Sequence, residues 1–108
     1  MILTTTDQIE GYVVEEYLGL VAGTDIYLVG GLLGGGLASQ EKLFDTALDN
    51  ATQHLTSKAI QLGADAVIGI KQSFTAPGNF NSMILALTGT AVKLIESKDT
   101  YEDTLPPL

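Results

Sequence analysis

Between Ser39 and Gly63 apolar residues return at steps of three and four: Phe44, Ala47, Leu48, Ala51, Leu55, Ala59 and Leu62. That spacing places them on one stripe of a long helix, which has to be buried against a partner layer. Ser39 is read as the N-cap, Glu41 as an acid near the positive helix end, and Gly63 as the left-handed residue that stops the helix. The runs on either side are rich in β-branched and aromatic residues. Tyr12 to Ala22 reads as a strand closed by a turn at Gly23-Thr24-Asp25. AVIGIKQSF from Ala66 and SMILALTGTAVKLI from Ser82 read as a hairpin about Pro77-Gly78-Asn79. The order strand, helix, strand, strand predicts an α+β domain of β-α-β-β form, with one long helix packed on the sheet. Residues 1–95 form this single domain, and 96–108, charged and proline-containing, read as an acidic flexible tail.

A sheet has two faces and one helix covers only one of them. On the last strand Met83, Leu85 and Leu87 point one way, while Ile84, Ala86, Val92 and Leu94 point the other. On the preceding strand Ala66, Ile68 and Ile70 oppose Val67. Both faces therefore read as dry, and the short run Ile26 to Val29 shields little of the second. The uncovered face predicts a homo-oligomer.

Charge narrows the partners. Thirteen acids, five lysines and no arginine give a net charge of −8, the wrong sign for tracking a phosphate backbone, so no nucleic-acid partner is expected. No run approaches the ~20 apolar residues of a membrane span, and the N-terminus shows no basic segment followed by an apolar core. The expectation is a cytoplasmic protein with no membrane partner. With no cysteine in the chain, no thiolate metal site is possible.

VGGLLGGGLAS at residues 29–39 packs five glycines into Gly30–Gly36, ahead of the helix, and raises the question of a phosphate cradle. A P-loop needs lysine and a hydroxyl residue after its last glycine, but Leu37 and Ala38 follow Gly36. The dinucleotide fingerprint fails too, because Ser39 stands where its last glycine belongs. These glycines suit close packing and unusual backbone angles around an assembly axis.

Catalysis finds no support. There is no GxSxG elbow, and His54, the one histidine, lies on the edge of the helix stripe, as a partly exposed helix residue does. A pairing such as Glu15 with Asp65 is what thirteen acids supply by chance. The adjacent Glu15 and Glu16 point to opposite faces of a strand, so one of them turns inward in an oligomer and needs a partner, either a cation or Lys71 or Lys93.

Three separated motifs carry a resemblance. GADAVIGI at Gly63–Ile70, LTGTAVKL at Leu87–Leu94, and TTT…IEGY…VEEYLGLVAG across Thr4–Gly23 together resemble the YbjQ-like family. That family carries a heavy-metal-binding label, is of uncharacterised function, and has a small α+β fold assembled as a homopentamer. The resemblance covers about residues 3 to 95 and implies a dodecin-like, ring-forming pentamer. It also implies that Glu16 and Tyr17, which match the family's Glu-Tyr pair, face a ligand. This chain has Leu18 where relatives often carry a cysteine after the tyrosine, and its segment between first strand and helix is shorter and richer in glycine. The expected cofactor is therefore at most a divalent ion held by oxygen ligands. The function expected is a pentameric ring that binds a metal ion or small ligand at its interfaces, the alternative being a structural oligomer with no ligand. A dodecin-like flavin store would need an aromatic stacker such as tryptophan, and the chain has none.

Overall fold

A computed structural model describes residues 1–28, 37–76 and 82–97. Five elements follow in the order β1 (Ile2–Leu3), β2 (Tyr12–Leu28), α1 (Leu37–Gln61), β3 (Ala66–Thr75) and β4 (Ser82–Glu96). The strands form one sheet ordered β1-β3-β4-β2, with β1 parallel to β3 and the other two pairings antiparallel. The fold is α+β, one helix packed on one sheet. The expected β-α-β-β core is present, and β1 is an addition. It is held by the Ile2 amide on the Asp65 carbonyl (3.2 Å) and the Thr4 amide on the Val67 carbonyl (3.0 Å).

The helix stops as its sequence indicates. Gly63 has φ +80°. Its amide bonds the Ile60 carbonyl (2.9 Å), and the Ala64 amide reaches back to Ala59 (3.0 Å), the two bonds of a Schellman motif. At the other end the helix begins at Leu37, so Ser39 lies inside the first turn and is not its cap. Leucine and alanine are strong helix formers and carry the helix back past the serine. Glu41 then falls outside the first turn, where the helix dipole acts most strongly.

The first long strand also exceeds its expected end, running through Gly23-Thr24-Asp25 to Leu28. Gly23 does not turn the chain. It lets the strand approach the helix, because a Cβ there would run into the Ala51 carbonyl oxygen and lie 2.6 Å from the Leu55 nitrogen.

Val21, Ala47, Ala51, Leu55, Ala59, Val67, Leu85, Leu87 and Ala91 form the core between helix and sheet. Ala66, Ile68 and Val92 form a second cluster on the opposite face, joined by Ile9, Val14 and Leu94. The alternation of β4 is as expected. Ile70 is not: it packs with the helix-side core. A register shift between Ile68 and Lys71 accounts for this, with Gly69 at φ +61° inside it. One extra residue resets which face each later side chain takes. The amides freed there bond the N-terminal segment, Gly69 to the Thr6 carbonyl (2.8 Å) and Ile70 to that of Thr4 (3.1 Å).

That segment, not the run from Ile26, covers part of the second face. Ile9 packs on it, while Ile26 stands 62% exposed within β2 and Val29 lies outside the described residues. The turn at residues 77–79 and the glycine-rich stretch 29–36 also lie outside them, as does the tail from residue 98. β4 ends at Glu96, where that tail was expected to begin, and the Ser97 amide bonds the Gly11 carbonyl (2.9 Å).

Candidate functional site

The N-terminal segment is shaped by its threonines. The Thr6 hydroxyl donates to the Gln8 carbonyl (2.6 Å), and the Thr6 amide donates to the Thr4 hydroxyl oxygen (3.1 Å). With its own hydrogen committed to Gln8, Thr6 accepts from the Thr4 hydroxyl at 2.8 Å. A tight turn follows. The Tyr12 amide bonds the Ile9 carbonyl (3.1 Å) and Gly11, at its third position, has φ +86°, the pattern of a type II turn. The chain thereby folds back on itself and holds Asp7–Glu10 beside the start of β2.

Between that segment and the sheet lies an open groove of about 830 Å³, lined among others by Asp7, Glu10, Tyr12, Tyr17, Ile68 and Leu94. Its floor is the second-face cluster of Ile68, Val14 and Leu94.

Of the two expected ligand-facing residues, the structure brings only Tyr17 to this groove. Val14 pairs with Leu94 and Glu16 with Lys93, and the register shift between Val14 and Glu16 leaves Glu15 without a partner in the ladder. Because Leu94 and Lys93 alternate, Glu16 emerges on the helix side of the sheet, whereas Tyr17, opposite Val92, returns to the second face. Glu16 thus stands across the ladder from Lys93, near which Gly63 also lies. Lys71 is opposite Thr88 on β3's side of the sheet. Glu15 and Glu16 are both exposed.

The other singled-out residues have structural engagements. His54 Nδ1 lies 2.9 Å from the Thr24 carbonyl oxygen, tying α1 to β2 from an exposed position. Asp65 accepts the Leu94 amide through Oδ2 (2.9 Å), while its own amide bonds the Val92 carbonyl (2.9 Å). It anchors the entry to β3. Asp25 accepts from the Asn50 side-chain amide at 3.0 Å, a second strand-to-helix tie. Among the described residues, no three of His, Asp and Glu group closely enough to hold a metal ion, and no helix is long and apolar enough to cross a membrane.

Sequence reasoning missed Asp7, Glu10 and Tyr12 as groove residues. The irregular segment that carries them has no periodicity, and its position depends on a parallel pairing only two residues long. The usable signal was the triple threonine followed by Glu10-Gly11, a turn pattern.

Comparison with known proteins agrees with this architecture. A family model described as "Putative heavy-metal-binding" matches residues 1–95. A UPF0145 protein of Nostoc punctiforme is 40% identical over 108 residues, covering 87% of this chain and 99% of the relative. One from Anoxybacillus flavithermus is 38% identical, covering 89% of this chain and 100% of the relative. The crystal structure of a DUF74-family protein of unknown function from Pediococcus pentosaceus superposes with a TM-score of 0.64 at 23% identity, over 88% of this chain and 98% of that one, and so shares the fold. With the family model spanning the whole folded region and these relatives matching nearly end to end, the chain belongs to the YbjQ family, the UPF0145 proteins.

Proposed function

We propose that this protein is a non-enzymatic, cytoplasmic homo-oligomer, a ring of five, whose interfaces hold a divalent metal ion or small ligand through carboxylate, carbonyl and hydroxyl oxygens. The number five comes from the family resemblance. The observation that carries the reading is the state of β2. It is an outer strand of 17 residues, and on its second face Tyr17, Leu20 and Ile26 are 69%, 85% and 62% exposed. A long apolar edge strand invites pairing with another chain, and natural monomers blunt such edges.

Oxygen ligands follow from the residue inventory, since the chain has no cysteine and one histidine. Glu16 and Tyr17, one on each side of β2, are the residues through which two neighbours would share such a ligand. Mass spectrometry of the purified protein, first native and then denatured, tests this reading. A mass in the native ring that exceeds the bare chains and is released on denaturation supports a bound ligand. A ring of bare chains supports the second reading, a structural oligomer with no ligand.

A further inference from the structure

The groove between Asp7–Glu10 and the second face of the sheet combines three features that no residue type supplies alone. Its floor is apolar, formed by Val14, Ile68 and Leu94. Two aromatic residues, Tyr12 and Tyr17, and two acidic residues, Asp7 and Glu10, are among those that line it. Among the described residues no lysine lines it, and the chain as a whole carries −8. At about 830 Å³ it falls within the size range of small-molecule sites.

We propose that this groove binds a small organic cation of the alkylammonium or quaternary ammonium class. Each alternative ligand loses one of the three features. A bare divalent ion needs a converging cage of oxygen ligands and makes no use of an apolar floor. An anion is repelled by both carboxylates. A neutral apolar molecule gains the floor but nothing from Asp7 or Glu10. An organic cation uses all three: its alkyl surface rests on Ile68 and Leu94, its charge lies against the tyrosine ring faces, and the carboxylates provide the attractive field. The acidic chain raises the local concentration of such ligands. Its lining residues all belong to one chain, and Tyr17 among them also stands on the β2 face assigned above to assembly.

The test is a 1H–15N NMR titration with benzyltrimethylammonium, with benzyl alcohol as the neutral analogue and magnesium chloride as the inorganic cation. Saturable shifts centred on Asp7, Glu10, Tyr12 and Tyr17 are expected with benzyltrimethylammonium alone. Tyr17→Leu is expected to weaken binding about tenfold, while Tyr17→Phe, which keeps the ring, stays within about twofold. The double variant Asp7→Asn, Glu10→Gln alters only exposed side chains and is expected to weaken binding by a similar factor. It keeps the test decisive if the Tyr17→Leu protein does not fold. Equal binding of benzyl alcohol, equal effects of magnesium at these residues, no saturable shift, or unchanged affinity in the double variant each overturns the proposal. Sedimentation of the same samples reads assembly separately, so a monomer that binds the cation and a pentamer that does not are told apart.

Discussion

Gly23 and Ala51 meet backbone to backbone: a Cβ on the glycine would run into the alanine's carbonyl oxygen. Strand β2 and helix α1 therefore touch with no side chain between them at this point, and Val21 and Leu55 close the core around the contact.

Gly23→Ala is accordingly expected to force the helix off the strand and cost about 1–3 kcal/mol, as overpacking of a filled core does. Urea unfolding followed by circular dichroism measures it. An unchanged midpoint would show that the helix sits farther from β2 than described.

Neighbouring substitutions on β4 separate the two faces. Leu85 is fully buried against the helix and Ile84 lies half-buried on the opposite face, across from Ile26. Leu85→Lys should abolish cooperative folding, since it buries an unpaired charge. Ile84→Lys should leave the far-ultraviolet spectrum native and change the sedimentation coefficient. Two variants with the same behaviour would mean that the second face is not an assembly surface.

Gly69→Ala tests the bulge. Its φ of +61° is left-handed, and a Cβ would come within 3.4 Å of the Asp7 carboxylate. A cost of about 1–2 kcal/mol is expected from the backbone alone. Hydrogen exchange should show faster loss at Ile70, whose amide holds the Thr4 carbonyl. Protection equal to the parent protein would mean that the N-terminal segment does not depend on this residue.

These particulars show what was legible in the sequence. The helix was readable because Phe44 to Leu62 repeat with one period and Gly63 ends it, both local properties. The β3–β4 hairpin was readable from two β-rich runs about Pro77-Gly78-Asn79, and the two faces of β4 from its alternation. The limits of β2 were not, because Gly23 carries the same letter whether it turns a chain or admits a helix. The side taken by Ile70 was lost to a one-residue bulge, and that of Glu16 to another. The groove was invisible because Asp7 to Tyr12 acquire their place from β1 and from two amides of the bulge, contacts far apart in sequence.

Metal titration by calorimetry at moderate salt should find no tight zinc or copper site. Borderline and soft ions favour imidazole and thiolate, and the one imidazole, His54, has its Nδ1 at the Thr24 carbonyl. Weak, salt-sensitive uptake by an assembly of acidic chains is expected, and His54→Ala should leave it unchanged. One tight ion per chain, lost with His54, would replace the oxygen-ligand account with a histidine-centred one.

The central claim is that the exposed face and outer edge of β2 are covered by other copies of the chain. Sedimentation equilibrium over a wide dilution range tests it most directly. The account predicts a single species of about 57 kDa, five times the 11.4 kDa chain, stable on dilution. A monomer of 11.4 kDa at every concentration would contradict it.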